Sequence, residues 1–458
     1  MNPTTLIEKF ASFAADTDPA RVPATALDQA RQCLVDWFAV GIGASREPEA
    51  AAVAKALRAR QAGRVGRVED TDAATLLTGG QASAADAALG NGVLSHILDF
   101  DDTHVPSILH GSGPVWAALL AVGETQRIPE DRLLAAFVIG FQAGTRLGNH
   151  GLGERLTRQG WHATPTLGRI AAATAVSHAR GFDRIKAAHA IALAVSQATG
   201  YTRSFGTMAK PLNAGRAASD AVLAADLADA AVQGPLDILD GPDGLLQTML
   251  QDRDLTLDHM AQDLLEPPWE VGRNSFKPYA SCQLTHGAID AARALSSRIV
   301  PGRIRRVQAH IHPLAIRIAG RASAQTPTEA KFSLRFCIAL GLGGHACTMK
   351  DFGDARISDA ALQALAARVE LFPDAHATRT SARLVVVDDD GREFSESVTH
   401  AFGSIENPMG WETLEHKFFE LVQDRFTVAQ SRALFDKLSR FGEPGGLAAC
   451  MRLVATAG

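Results

Sequence analysis

Apolar residues in the first part of the chain recur with the period of an amphipathic helix. One helical face carries Leu27, Ala30, Leu34 and Trp37, which are spaced three or four positions apart. The same spacing predicts a succession of helices from residue 4 to about residue 265, with clear segments at 49–60, 80–97, 113–126, 130–147, 166–180, 183–199 and 215–233. Pro129 precedes one of these segments and Gly181 follows another, which is typical of helix ends.

The pattern changes to the period of a strand after the pair Pro267 and Pro268. Val307, Ala309 and Ile311 alternate with more polar neighbours, so we expect a strand with one buried face. Further strands are predicted at 368–372, 382–387 and 393–398, and the last two are joined by a turn at 388–391.

Two further helical signals complete the domain prediction. Thr326 and Glu329 form a capping box around Pro327, which predicts a helix that runs to Leu342. Helical periodicity returns at 411–421 and 427–441. The sequence therefore predicts a mainly α fold with a smaller α+β domain: residues 1–268 form a helical domain, 269–404 form the α+β domain, and 405–458 return to the helical domain.

Length, composition and charge exclude several classes of protein. A chain of 458 residues is too long for one core, and 46% hydrophobic with 21% charged residues is ordinary globular composition. The net charge is −5 and basic residues are scattered among acids, so we expect no nucleic-acid partner. Apolar stretches are too short for a membrane span, and the N-terminus lacks a signal-peptide pattern, which favours a cytoplasmic location. Five widely spaced cysteines predict neither a disulfide framework nor a zinc site.

Candidate chemistry is concentrated between residues 96 and 112. The run Leu98-Asp99-Phe100-Asp101-Asp102-Thr103-His104 follows His96 and precedes His110-Gly111-Ser112. So many ionisable groups are costly to bury unless they are paired or used. The alternative interpretation is a solvated loop in which Asp102 or Thr103 caps a helix.

Three more residues suggest binding of an anion. His162 precedes Thr164 and Pro165, a suitable N-cap and first position for a helix that starts near Thr166, and helix N-termini attract anions. Lys210 is predicted in a loop that leads into the helix from Gly215. Lys277 lies in an apolar stretch where a surface lysine is less expected. The alternatives are a histidine bonded to the loop backbone and solvated lysines.

These residues belong to four motifs that resemble those of the MmgE/PrpD family. The motifs are His96 to His104, Gly160-Trp161-His162-Ala163-Thr164-Pro165-Thr166, Met208-Ala209-Lys210-Pro211-Leu212-Asn213-Ala214-Gly215, and Lys277-Pro278-Tyr279-Ala280-Ser281-Cys282. They occur in the order and spacing of that family over nearly the whole chain. The resemblance implies a two-domain fold, an all-helical domain plus an α+β lid domain, and a homodimer. The family includes 2-methylcitrate dehydratases, cis-aconitate decarboxylases and iminodisuccinate epimerases.

The inventory of side chains suits removal of a proton alpha to a carboxylate, without a cofactor or a metal. His110 and His162 are the candidate acid and base, and Asp99 and Thr103 orient the substrate or a histidine. Lys210 and Lys277 bind carboxylates of a small di- or tricarboxylate substrate, with Cys282 and His104 as further candidate contacts. Asp101, Asp102 and His104 are expected to shape the loop. We expect His110, His162, Lys210 and Lys277 to converge on one pocket between the domains.

The reaction itself is left among several alternatives. A hydro-lyase like 2-methylcitrate dehydratase is favoured. Relatives that decarboxylate cis-aconitate carry a histidine where this chain has Cys282, and a tyrosine in the segment that matches 317–325, which has none here. An epimerase would use a second acid, for which Cys282 is a candidate, and a non-catalytic helical binding protein is the alternative from another class.

Two competing motifs are weaker. The glycine-rich segment 341–346 follows a predicted helix rather than a strand, so it lacks the context of a nucleotide-binding loop. His310 and His312 have alternate spacing that suits a metal, but no carboxylate or cysteine lies near them in sequence.

Overall fold

The computed structural model describes residues 4–62, 73–149, 151–252 and 258–456. The N-terminal part consists of the helices α1 (Leu6–Asp16), α2 (Ala24–Ala44), α3 (Pro48–Ala62), α4 (Ala84–Ile97), α5 (Ser112–Gln126), α6 (Glu130–Gly148), α7 (Leu152–Arg158), α8 (Ala163–Arg180), α9 (Arg184–Val195), α10 (Ala209–Asp229) and α11 (Leu245–Leu250). A short antiparallel pair of strands, β1 (Ala73–Thr75) and β2 (Gln81–Ser83), precedes α4. The predicted succession of helices is confirmed.

The C-terminal part contains a four-stranded sheet and short helices. Its elements are α12 (His286–Ser296), β3 (Ile304–Ile311), α13 (Pro313–Ala319), α14 (Pro327–Ala330), α15 (Leu334–Leu342), α16 (Asp354–Ile357), α17 (Ala360–Ala367), β4 (Val369–Pro373), β5 (Ala382–Asp388) and β6 (Glu393–Val398). The strand order is β4-β3-β5-β6, with β3 and β4 parallel and the other pairs antiparallel. Val307, Ala309 and Ile311 are buried, as their alternation predicts. The mainly α fold with a smaller α+β part is therefore confirmed.

Three last helices pack back against the N-terminal helices. They are α18 (Trp411–Val422), α19 (Val428–Ser439) and α20 (Gly446–Thr456). Lys417 Nζ of α18 lies 2.6 Å from Asp36 Oδ1 of α2, and the Leu447 amide of α20 donates to Glu130 Oε1 at 2.9 Å. The domain boundaries at 268/269 and 404/405 stay a prediction.

Several helix ends differ from the prediction for identifiable physical reasons. The helix expected over 326–342 is split, because Ser333 accepts the Phe336 amide at 3.3 Å and begins α15 anew. The segment expected to start at residue 80 begins instead at Ala84, since Gln81–Ser83 pairs with β1. Among the described residues, no helix is both long and apolar enough to cross a membrane.

Both helices that carry predicted site residues begin earlier than expected. Helix α8 starts at Ala163, so Pro165 occupies the third helical position rather than the first. Helix α10 starts at Ala209, so Pro211, expected in a loop, is the third residue of that helix. Proline is tolerated there because the amides of the first turn have no partner within the helix. Lys210 therefore lies in the first turn of α10 and not in a loop.

Helices α4 and α10 cross at two glycines. A Cβ atom on Gly92 would lie 2.8 Å from the Gly215 Cα atom, and one on Gly215 would lie 2.4 Å from the Leu89 carbonyl oxygen. Only the missing side chains permit this approach. It brings Asp99, which follows α4, to Lys210 at the start of α10.

Candidate active site

One cavity contains most of the predicted site residues. It has about 620 Å³ of space, counted to its open mouth, and is lined from both parts of the chain. The predicted residues that line it are Asp99, Thr103, His110, His162, Lys210, Lys277 and Cys282. Residues from distant stretches thus meet in one place, which is the arrangement that a shared site requires.

Asp99 holds the two lysines together. Its backbone is left-handed, with φ at 50°, and directs the carboxylate toward α10. Lys210 Nζ lies 2.5 Å and Lys277 Nζ 3.1 Å from Asp99 Oδ1, and Lys277 also donates to the Asp99 carbonyl oxygen at 2.8 Å. Burial raises the pKa of Asp99, but the two ammonium groups outweigh it and hold the pKa well below its usual range. Asp99 therefore positions two cations rather than a histidine.

Asp101 connects two imidazoles. Its carboxylate lies 2.8 Å from His96 Nδ1 and 3.0 Å from His110 Nδ1. Burial lowers the pKa of His110 to about 3, although the Asp101 carboxylate opposes that shift. The ring is therefore neutral at pH 7. Because Nδ1 faces a carboxylate, the proton of His110 lies on Nδ1 and its lone pair on Nε2.

Thr103 contacts the same imidazole and connects the two parts of the chain. Its Oγ1 lies 3.3 Å from His110 Nδ1. Its amide donates to the Ser275 carbonyl oxygen at 2.8 Å, and the Ser275 amide donates back at 3.0 Å. Thr103 thus fixes the position of the His110 loop relative to the segment that carries Lys277.

His162 is the N-cap residue of α8, two residues before the Thr164 that the sequence suggested. Its Nδ1 accepts from Asn213 Nδ2 at 3.3 Å, and its ring packs edge-on against Phe205. Burial, followed by the charge of Lys210, holds the pKa of His162 well below its usual range. With Nδ1 as acceptor, the ring proton lies on Nε2, so His110 and His162 have opposite tautomers.

Cys282 lines the cavity as a protonated thiol. Burial raises its pKa to about 11, and the nearby Asp99 carboxylate adds to this effect. Its amide donates to the Lys331 carbonyl oxygen at 3.0 Å. Lys331 is buried and donates to the Leu98 carbonyl oxygen at 2.7 Å, and burial lowers its pKa to about 8.

His104 lies outside the cavity lining, so its expected contact with substrate is not supported by its position. The ring is fully buried between Ser107 Oγ at 2.7 Å and Glu270 Oε2 at 3.0 Å. Burial lowers its pKa. Its position agrees with the other role expected for it, which is to shape the loop.

A buried polar network lies behind the loop. Lys417 Nζ donates to Asp36 Oδ1 and to the Phe100 carbonyl oxygen, both at 2.6 Å. The Asp102 amide donates to Asp36 Oδ2 at 3.0 Å, and Ser112 Oγ donates to Asp102 Oδ2 at 2.6 Å. Burial and the neighbouring Asp36 raise the pKa of Asp102. These contacts fix the backbone that presents Asp99 and Asp101.

Four side chains of the site have the spacing of metal ligands. One ligand atom each of His96, Asp99, Asp101 and His110 lies within 4.8 Å of the others. However, two ammonium groups already contact the Asp99 carboxylate, and a divalent cation beside them would be repelled. The contacts therefore favour a hydrogen-bonded cluster over a metal centre.

Sequence reasoning missed several residues of the site. Asp101 was expected only to shape the loop, yet it orients His110. The apolar and cationic residues Phe205, Ile318, Phe332 and Arg379 also line the cavity. They come from segments with no recognisable motif, so no local signal marks them.

Comparison with known proteins agrees with the four motifs. The MmgE/PrpD N-terminal domain matches residues 8–258, and the MmgE/PrpD C-terminal domain matches residues 279–439. The chain is 28% identical over 347 residues to human cis-aconitate decarboxylase (Homo sapiens), which covers 72% of this chain and 71% of that protein. It is 23% identical over 363 residues to cis-aconitate decarboxylase of Aspergillus terreus, which covers 73% of this chain and 74% of that protein. The chain belongs to the MmgE/PrpD family.

Proposed function

We propose that this protein is a lyase that removes a proton alpha to a carboxylate of a small organic acid, and that its reaction is the elimination of water. The observation that carries this proposal is the convergence of two neutral imidazoles of opposite tautomer with two ammonium groups in one cavity. The side chains present supply a base, an acid and a site for negative charge, so the chemistry needs no cofactor.

Lys210 and Lys277 bind the carboxylate next to the carbon that loses its proton. Their ammonium groups face the Asp99 carboxylate on one side, which holds them in place before substrate binds. When the proton leaves, negative charge spreads from the carbon into the substrate carboxylate. Fixed cations in a buried site stabilise that charge more than water does.

His110 is the base and His162 is the acid. His110 Nε2 takes the α-proton, and the Asp101 carboxylate stabilises the imidazolium that forms. The electron pair of the C–H bond first spreads into the substrate carboxylate as a carbanion, and it then forms the new C=C bond as the C–O bond breaks. His162 Nε2 gives its proton to the leaving hydroxyl group, which departs as water and leaves His162 as an imidazolate. His110 then releases a proton to solvent and His162 takes one up, which restores both neutral rings.

Decarboxylation is the second candidate, because the two similar proteins described above are cis-aconitate decarboxylases. It would use the same cations, with His162 as the proton donor to the carbon that loses carbon dioxide. Epimerisation would return a proton to the opposite face of the same carbon. Cys282 lines the cavity as a thiol, so it is the candidate donor for that reaction.

Proton NMR in D₂O with citrate-like, aconitate-like and aspartate-derived acids distinguishes these reactions. We expect alkene signals from a hydroxy acid, with water as the second product. Release of carbon dioxide would support decarboxylation instead, and deuterium uptake without net reaction would support epimerisation. If no acid reacts or exchanges its α-proton, and the NMR spectra with His110→Asn are the same as those with the wild type, the protein is a binding protein. His400→Asn, on an exposed loop, is the matched control. The homodimer and the cytoplasmic location stay predictions.

A further inference from the structure

Hydrocarbon side chains make up one wall of the cavity, the outer wall, and the uncharged polar side chains Thr157, Thr164 and Gln283 also line the cavity. Leu314 and Ile318 are one turn apart on α13 and present the same face. The other large apolar lining residues come from four further segments: Val105 and Ile108 from one, and Phe205, Leu284 and Phe332 from one each. Leu314 and Phe332 are only 5% and 3% exposed, so this wall is part of the fold and not a loose surface.

The positive charge that faces the cavity is small. Two ammonium groups, Lys210 and Lys277, face one carboxylate, Asp99, so 2 − 1 leaves one net positive charge at the inner end. His110 and His162 are neutral. A tricarboxylate would bring three negative charges, and two of them would remain without a cation in a buried site.

Arg379 is the remaining cation on the lining, and it is already engaged. It forms an ion pair with Glu154, and its Nη1 donates to the Val105 carbonyl oxygen at 3.0 Å. These contacts tie the loop between β4 and β5 to α7 and to the segment that follows Thr103. Glu154 already balances the charge of this guanidinium group, so a substrate carboxylate would gain less from it than from an unpaired arginine.

We infer that the substrate carries a hydrocarbon substituent that packs against Leu314, Ile318 and Leu284, and that it has fewer carboxylates than cis-aconitate. This inference rests on the proposed function, because it places the reacting carboxylate at Lys210 and Lys277. The inner end then binds the charged part of the substrate and the outer wall binds its alkyl or aryl part. Removal of that part from water supplies affinity without further charges.

Binding of unreactive acids tests the inference apart from turnover. Calorimetric titration compares succinate with each enantiomer of its 2-methyl, 2-propyl and 2-benzyl derivatives, and with tricarballylate as the tricarboxylate. We expect the dissociation constant of one enantiomeric series to fall about fourfold for each methylene buried. Tricarballylate is expected to bind more weakly than 2-propylsuccinate.

Two matched variants locate the effect. Ile318→Ser places a hydroxyl on the proposed wall. The dissociation constant of succinate divided by that of 2-propylsuccinate measures how much the propyl group strengthens binding, and we expect this ratio to fall at least fivefold in the variant. Ile185→Ser makes the same change at a side chain that is 72% exposed on α9, and that ratio should keep its wild-type value. Circular dichroism verifies that both variants are folded.

The outcomes separate this inference from the proposed function. The inference is wrong if alkylation weakens binding or if tricarballylate binds most tightly. The proposed carboxylate site still stands in that case, provided that Lys277→Gln weakens the binding of succinate. If Ile318→Ser and Ile185→Ser behave alike, the hydrocarbon part does not lie on this wall and the inference is also wrong. If none of the acids binds at millimolar concentration, the inference and the proposed carboxylate site both fail.

Discussion

At the scale of single residues, the site depends on ionisable groups whose burial is offset by specific partners. Asp99 is ionised because two lysines face it, and His110 is neutral because burial outweighs its contact with Asp101. The run from His96 to His110 is rich in ionisable groups, which led us to expect Asp99, Thr103 and His110 at one site, and all three line the cavity. The sequence did not predict that Asp101 contacts His96 and His110, or that His104 lies outside the cavity lining. No pattern in the sequence marks the left-handed turn at Asp99.

The lowered pKa values of the two imidazoles predict an unusual pH profile. A depressed pKa keeps an imidazole neutral, and so able to act as a base, at lower pH than normal. For the free enzyme, kcat/KM should therefore stay level from pH 8 down to about pH 5, with no fall near the ordinary histidine value of about 6.5. A pH series with a fully ionised substrate measures this profile. An acid limb with an apparent pKa near 6.5 would contradict the neutral, buried imidazoles.

Removal of the Asp99 charge should destabilise the fold strongly. Asp99→Asn preserves the shape of the side chain and tolerates the left-handed backbone, but leaves the fully buried Lys277 without its carboxylate. Loss of one partner from a buried pair costs about 3–5 kcal/mol. The expected result is a marked fall in the midpoint of thermal unfolding. Asp424→Asn, at an exposed carboxylate, is the control, and equal midpoints for the two variants would refute the buried pair.

At the scale of elements, the two helices that carry His162 and Lys210 were predicted correctly as helices but with late starts. The sequence suggested Pro165 as a first helical position, and the structure places it third; Pro211, expected in a loop, is also the third residue of its helix. The sequence cannot distinguish these alternatives, because proline fits anywhere in the first turn. The helix expected over 326–342 was broken by Ser333, whose hydroxyl competes for a backbone amide.

The crossing of α4 and α10 sets the distance between Asp99 and Lys210, so it should be sensitive to a single methyl group. In Gly215→Ala, the new Cβ atom would lie 2.4 Å from the Leu89 carbonyl oxygen and 2.9 Å from the Val93 amide. Overpacking of this kind costs about 1–3 kcal/mol, and we expect both a lower unfolding midpoint and weaker substrate binding. Gly302→Ala is the matched control, because a Cβ atom there meets nothing within 4 Å. Equal effects of the two changes would show that the crossing is not tight.

At the scale of the whole molecule, the site exists only because the C-terminal part folds over the end of α4. Lys277 reaches Asp99, Lys331 reaches the Leu98 carbonyl oxygen, and Thr103 pairs with Ser275. Four motifs in the sequence predicted that distant stretches converge. Lys331 and Arg379 were not predicted, because their roles follow from packing between segments more than 200 positions apart.

A change in the C-terminal part at Lys277 should mainly affect substrate binding, whereas a change in the N-terminal part at His162 should mainly affect proton transfer. Lys277→Gln removes a cation that binds carboxylate, so we expect KM to rise about tenfold or more with a smaller change in kcat. His162→Asn removes the proposed acid, so kcat should fall by about 10²-fold or more while KM changes little. Steady-state kinetics of the two variants with one substrate measures this difference. The same pattern of change in both variants would count against distinct roles.

The most direct test of the account is deuterium exchange at the α-carbon, followed by NMR in D₂O for His110→Asn and His162→Asn. If His110 is the base and His162 the acid, the His162 variant still exchanges the α-proton but forms almost no product. The His110 variant then neither exchanges that proton nor forms product. Continued exchange in the His110 variant, with exchange lost in the His162 variant, would contradict the assignment of base and acid to these two tautomers.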